Sequence, residues 1–389
     1  MGCSIVCSKC QSDANLKGLR ERTVTGLLGP MVISRHYYYC PDCGHGEVPR
    51  DDALQLDGAR QTLAAKEVIA LTGAVDSFGE AADALLTKLT GVRVSESTVR
   101  RVTETIGEQI GQAQASGEVF GPPTEWLWHM DAEGKTVGYV SVDATGLRMQ
   151  GLNGAKADGR MITVGMVYNP IPDQTTRRAQ PKHPNPPWQA RYVTALDGLD
   201  ELADPLRRQA GQVGMDKAQR WVALCDGGAG LEAFLLANFP RVEVVILDFY
   251  HASEYLGEIG RGWHPGDEKG SKEWTAQWAH DLKHTGGAAV LGRLKDLATQ
   301  NPPSGAREAL QKAITYFENQ VHRMDYPTYR EKGWYIGSGP IESACKSVIG
   351  TRMKQAGMRW GTDGADSIGH IRALFRGETG QWDAYFSRN

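Results

Sequence analysis

The chain has 389 residues, more than one hydrophobic core usually serves, so two or three domains are expected. Its 41% apolar and 23% charged residues fit a globular protein, and no apolar run approaches the ~18 residues that span a bilayer. A net charge of −3 excludes a uniformly basic nucleic-acid binder, so any affinity for DNA must come from local patches. The start Met1-Gly2-Cys3 lacks the apolar core of a signal peptide. The expectation is a cytoplasmic protein with no membrane partner.

Five of the seven cysteines lie in the first 43 residues. Cys7-x-x-Cys10 and Cys40-x-x-Cys43 are two tight turns, each able to present two thiolates to one ion, and four thiolates complete a tetrahedral zinc shell. Between them, β-type residues from Arg22 to Tyr39 surround Gly29-Pro30 and read as a hairpin. Residues 1–50 are therefore expected to form a zinc ribbon. Its net charge of +2 leans towards DNA.

Residues 51–120 read as helical. Apolar spacing suggests a helix from Leu54 to Leu71, and a second starts at Ser77-Phe78-Gly79-Glu80. A turn at Thr90-Gly91-Val92 precedes Ser95, a good N-cap, with Arg93, Arg100 and Arg101 nearby. Helix, short glycine turn and capped basic helix resemble a helix-turn-helix, with Arg100 and Arg101 as candidate DNA contacts.

From Val137 strands take over. Gly138 to Asp143 alternates and reads as ending at the aspartate; Met161 to Tyr168 and Arg191 to Leu196 are further strands. The loop from Asn169 to Trp188 carries six prolines together with Arg177, Arg178, Lys182 and His183. A helix at Leu199–Gln212 follows, then a strand from Arg220 closing on Asp226, a helix at Leu231–Asn238 and a strand at Val242–Leu247 before Asp248. Three strands, helix, strand, helix, strand is the order of an α/β ribonuclease-H-like core, a mixed five-stranded sheet with helices. The core would span 121–250, interrupted by a helical insertion at 251–333 and resumed at 334–389. In that last part Pro340 suits the first position of a helix and puts Glu342 in its first turn.

Two strand-end aspartates and a glutamate on a later helix, separated by 83 and 116 residues, can converge at one sheet edge. Asp143, Asp226 and Glu342 would then form the hard oxygen site that holds one or two Mg²⁺ (or Mn²⁺) ions for phosphodiester chemistry. From Lys346 to Trp360 there are four basic residues (Lys346, Arg352, Lys354 and Arg359) and no acid, as a neighbouring phosphate backbone would require. The residues also allow blander roles: a strand-end Asp beside Gly is a turn former, and Glu342 and Lys346 make an ordinary i,i+4 ion pair. Asp248 and His251 read as a pair fixing the start of the insertion, or as neighbours of the site. Cys225 and Cys345 read as buried packing residues.

The block from Gly337-Ser338-Gly339-Pro340-Ile341-Glu342 to Met358-Arg359-Trp360 resembles the C-terminal signature of bacterial insertion-sequence transposases of the ISKra group. The cysteine pairs, Tyr37-Tyr38-Tyr39-Cys40, Val142-Asp143 and Asp248-Phe249-Tyr250-His251 fall in the order expected of that group, over nearly the whole chain. The resemblance implies a DDE-type enzyme with Asp143, Asp226 and Glu342 as catalytic metal ligands. It implies an Asp248/His251 element after the fifth strand, double-stranded DNA as partner, and at least a dimer on DNA. One departure stands out: Asp226 leads into Gly227-Gly228-Ala229-Gly230, where Gly-Ala and then an aromatic or apolar residue is expected. A nuclease on the same core, a non-catalytic DNA-binding regulator and a carboxylate-pair glycosidase are the competing classes.

Overall fold

The computed structural model describes residues 3–54, 56, 60–170, 188–337, 339–378 and 380–387. Most of the proline-rich loop, with Arg177, Arg178, Lys182 and His183, lies outside the described residues, as does Ser338. The chain divides into two compact units, Met1–Ile110 with Asp383–Asn389, and Gly111–Trp382. Among the described residues no helix is long and apolar enough to cross a membrane.

The first unit opens with a four-stranded sheet in the order β1 (Ser4–Val6), β2 (Asp13–Gly26), β3 (Gly29–Tyr39), β4 (Gly46–Glu47). The hairpin β2–β3 is longer than the pattern of β-type residues suggested. Its turn is Leu27-Leu28, because Gly26 pairs with Gly29 and Thr25 with Pro30, so Gly29-Pro30 already belongs to β3. At its base the buried cluster is small: Cys7, Ala14, Tyr38 and Cys40, with Ile5, Leu16 and Cys43 against it.

The helices that follow start differently from the apolar spacing. Pro49–Ala53 is a short separate helix, and the main one is Leu63–Val75. Two local interactions delay it: Gln61 bridges to Thr25, and the Thr62 side chain accepts from the Ala65 amide at 3.3 Å as the N-cap. Ser77 caps the next helical run through Glu80 N at 3.2 Å, and Ser95 the long helix Glu96–Ala115 through Thr98 N at 3.3 Å.

The second unit is a mixed sheet with helices. Its strands are β5 (His129–Met130), β6 (Thr136–Leu147), β7 (Arg160–Asn169), β8 (Gln189–Leu196), β9 (Arg220–Cys225) and β10 (Val242–Leu247). The order β10-β9-β6-β7-β8 has β6, β7 and β8 antiparallel, and β9 and β10 parallel to β6. The two-residue β5 pairs with the start of β6, where β7 has ended. One face is covered by helices Asp200–Gln212 and Leu231–Asn238, whose Leu202, Leu206, Phe234 and Leu235 join Val140, Val142, Val167 and Val193 in the main apolar cluster. Gly165 on β7 lets Leu202 and Leu206 approach closely. After β10 come the long helices Phe249–Trp263, Glu268–Thr299 and Ser304–Gln320.

Candidate functional site

At the amino terminus the four cysteines converge. Their sulfurs all lie within 4.8 Å of one another, with Cys7 to Cys43 at 3.7 Å and Cys10 to Cys40 at 3.5 Å. Each pair sits on a turn of the same kind. Gln11 N donates to Cys7 O at 3.0 Å and Cys7 N to Ser12 O at 2.8 Å; Gly44 N donates to Cys40 O at 3.0 Å and Cys40 N to His45 O at 2.8 Å. The residue after the second cysteine is left-handed in each, Gln11 at φ 63° and Gly44 at φ 71°. Glycine fits that conformation without strain. The Ser12 amide, then Cys43 and Cys40, lower the Cys10 thiol to about 6. Cys43 is pushed up to about 12: its contact with Cys10 and burial outweigh the His45 amide, which pulls it down. With the Cys10 thiol lowered and the Cys40 and Cys43 thiols raised, the close sulfurs form a donor set whose protons a bound cation would displace. These four cysteines can hold a metal such as zinc.

The second site lies at the sheet edge where β9 and β10 end. Here the structure corrects one expectation: Asp143 is not at the end of its strand. β6 runs on to Leu147, because its antiparallel pairing with β7 continues (Asp143 opposite Val164). What ends is the parallel pairing with β9, whose last partners are Ser141 and Leu224. Two residues further along stand Asp143, still within β6, and Asp226, the first residue after β9. On the other side Leu247 pairs with Cys225, so Asp248 follows beside Asp226. The registers line up three aspartates across three neighbouring parallel strands.

Their surroundings differ. Asp143 is half-buried; its Oδ1 accepts from the Ala144 amide at 2.7 Å and its Oδ2 from the Cys345 thiol at 3.4 Å. Burial, then the charges of Asp226 and Glu342, push its carboxyl above the usual range, outweighing the Ala144 and Cys345 hydrogen bonds. Asp143, Asp226 and Glu342 thus share one electrostatic neighbourhood. Among the described residues, however, only the cysteines are gathered within 4.8 Å as a set of three or more metal-type side chains. Asp226 is half-buried and its Oδ1 accepts from Gly228 N at 2.8 Å. Glu342 is exposed, in the first turn of the helix Gly339–Ala344.

Asp248 is 2% exposed and caps the helix Phe249–Trp263, accepting from Tyr250 N at 3.1 Å and His251 N at 2.9 Å. The Asp248–His251 pair therefore runs through the histidine's amide. Its ring turns away, 3.4 Å from Glu254 and packed on Tyr255 and Tyr316. Asp248 meets His251 at its backbone amide rather than at its imidazole.

The glycines after Asp226 are closely used. A Cβ on Gly227 would lie 2.5 Å from the Tyr316 ring, which is stacked on Tyr255. That turn is packed rather than loose.

The basic stretch is only partly available. Lys346, Lys354 and Arg359 are exposed, and the Lys354 ammonium donates to the Thr145 hydroxyl near the end of β6. Arg352, expected among the phosphate contacts, is instead fully buried; its Nη1 lies 3.2 Å from Met358 Sδ and its guanidinium lies over the Trp360 ring. An apolar stem and a stacking partner draw an arginine inward as readily as a phosphate draws it out. In the first unit Arg100 and Arg101 are exposed, and Arg93 donates to Thr87 O.

Three contacts around this sheet edge were not visible in the sequence. Arg323, 2% exposed, donates to the carbonyls of Val245, Cys225 and Asp226, clamping the ends of β9 and β10. Arg372 donates to the carbonyls of Ser347 and Val348, within a wide π-helical turn, Cys345–Gly350, that continues the Glu342 helix. Cys345 touches Asp143 rather than serving only as packing, and burial together with Asp143 pushes its thiol well up. Only Cys345 left a trace in the sequence: it stands three residues after Glu342, one turn along the same helix.

Comparison with known proteins adds two likenesses. An uncharacterised protein family, UPF0236, matches residues 9–157, a span containing Cys10, Cys40, Cys43 and Asp143. A protein of Streptococcus gallolyticus, described as the UPF0236 protein in vanSb 3'region, is 25% identical over 361 residues, 90% of this chain and 71% of its own length.

Proposed function

We propose that the chain is a DDE-type transposase, cutting DNA at the ends of an insertion sequence and joining the freed 3′-hydroxyls to target DNA. The observation that carries this reading is the register of β6 and β9, which puts Asp143 and Asp226 on neighbouring strands, with Glu342 close enough to raise the Asp143 carboxyl. The sheet order, three antiparallel strands followed by two parallel to the first with helices between, supports a ribonuclease-H-like core. The long helices between β10 and the Glu342 helix take the place of the insertion.

The residues fit a divalent metal on chemical grounds. Asp226 and Glu342 raise the proton affinity of Asp143, and together the three carboxylates form a hard oxygen donor set whose repulsion a cation relieves. Asp143, Asp226 and Glu342 would hold Mg²⁺ or Mn²⁺, which supplies activation of the attacking oxygen and stabilisation of the departing one. The chain's own residues supply the rest. Arg323 fixes the strand ends that carry Asp226, and Asp248 fixes the start of the next helix. Exposed Lys346, Lys354 and Arg359 offer charges to the phosphate backbone. The cysteine ribbon with its zinc and the helix bearing Arg100 and Arg101 are the candidate elements for recognising double-stranded element ends. Because two ends must be joined together, the working form is at least a dimer.

The test compares wild type with Glu342→Gln on a supercoiled plasmid carrying the DNA that flanks this gene, with and without Mg²⁺ or Mn²⁺. Metal-dependent cleavage and joining, reduced by about 100-fold or more in the variant, is expected, since metal-assisted charge stabilisation contributes several kcal/mol. Cleaved but unjoined products would replace the reading with a nuclease. Binding to the ends without any cleavage would replace it with a DNA-binding regulator.

A further inference from the structure

We propose that Cys345 is a positioning residue: its thiol holds the Asp143 carboxylate in a fixed orientation and so sets how tightly the three-carboxylate site takes a divalent cation. The inference rests on the reading of Asp143, Asp226 and Glu342 as one cation site. It starts from the two oxygens of Asp143. Oδ1 is held by the Ala144 amide at 2.7 Å, a contact between neighbouring residues of β6 that any side chain after Asp143 would leave intact. Oδ2 is held by the Cys345 thiol, 202 residues away in sequence, at 3.4 Å. Together the two donors fix the plane of the carboxylate before any cation arrives.

The thiol is itself held in place. Cys345 is 7% exposed, so no water competes freely for its hydrogen. It opens the wide turn Cys345–Gly350, whose Ser347 and Val348 carbonyls are taken by the buried Arg372 guanidinium, which also donates to Thr351 Oγ1 at 2.8 Å. The same helix carries Glu342 one turn earlier, so a single rigid element delivers one carboxylate and orients another.

The choice of sulfur has a consequence. A thiol is a weak donor, so it can orient Oδ2 without holding it against an incoming cation; a strong donor in its place would compete with the metal. Partners behind the ligands of metal sites typically change affinity by about 10–100-fold when removed.

The experiment measures Mn²⁺ binding to the zinc-loaded full chain by the electron spin resonance signal of free Mn²⁺, without DNA. Asp226→Asn assigns the ion to the carboxylates. Cys345→Ala is expected to weaken Mn²⁺ binding by about 10-fold or more, with strand transfer recovering at saturating Mn²⁺. Cys345→Ser, which restores a donor, is expected to stay within about threefold of wild type. Cys345→Val, similar in volume and without a donor, gives the same comparison if the alanine variant does not fold. Wild-type Mn²⁺ affinity in the folded Ala or Val variant overturns the role of Cys345. Mn²⁺ binding that Asp226→Asn leaves unchanged overturns the carboxylate site, and this inference with it.

Discussion

A half-buried carboxylate beside two others is a cost to the fold, and Asp143 makes that cost measurable. Burial and the charges of Asp226 and Glu342 raise its carboxyl in the folded chain. A raised value means that the folded state binds the proton more tightly than the unfolded one. The stability this gives is fully present below the unfolded carboxyl value of about 3.9 and is lost as pH rises through the higher folded value. At neutral pH the ionised group therefore works against folding when no divalent cation is present. Asp143→Asn should raise the melting midpoint at pH 7 without divalent ions, and the gain should vanish near pH 4. All ten tryptophans lie between Gly111 and Trp382, so their fluorescence follows this unit alone. A midpoint that falls, or a gain independent of pH, would refute the electrostatic account. The residues themselves stand out in the sequence: an aspartate closing an alternating run, another before a glycine-rich stretch, and a glutamate two residues after a helix-starting proline. Arg323, Arg372 and the burial of Arg352 do not, because each depends on which distant backbone carbonyls or rings lie within reach, and periodicity carries no information about that.

At the scale of elements, periodic patterns with little competition were read closely. The helix Leu231–Asn238 and the strand Val242–Leu247 carry the boundaries that their apolar runs suggest. Boundaries failed where a local side-chain bond intervened, as at Thr62, or where pairing with a partner strand extended an element, as β7 extends β6 past Asp143. The ribbon shows the opposite case, in which covalent spacing outweighs pattern. At its base only Ala14 and Tyr38 are buried with two of the cysteines, little apolar surface to hold a hairpin of 14 and 11 residues. Metal is therefore expected to hold the base of the sheet together. Native mass spectrometry should find one zinc per chain, and none after Cys40→Ser. In that variant amide exchange should accelerate across β1 to β4 while β6, β9 and β10 keep wild-type protection. A protected hairpin in metal-free protein would mean that the cysteines pack without an ion.

For the molecule as a whole, the transposase reading requires a chain of net charge −3 to meet a polyanion. Average charge gives no attraction, so binding must depend on a few exposed cations, and their number should appear in the salt dependence. Each phosphate neutralised on duplex DNA releases condensed counterions and contributes about 0.9 to the slope of log affinity against log salt. Lys354 and Arg359 are exposed on the stretch that follows Glu342. Replacing either with alanine should lower that slope by about 0.9 and weaken binding to specific and random duplexes alike. Arg352, in the same stretch, lies inside the fold over Trp360. Arg352→Ala should leave the slope unchanged and appear instead as a loss of thermal stability, on the order of 1–3 kcal/mol for emptying a packed site and stranding its neighbours. The comparison separates two arginines that sequence alone makes equivalent. If Arg352→Ala lowers the slope as Arg359→Ala does, the helix must open to meet DNA, and the packed arrangement of its basic residues would describe the chain only in the absence of DNA.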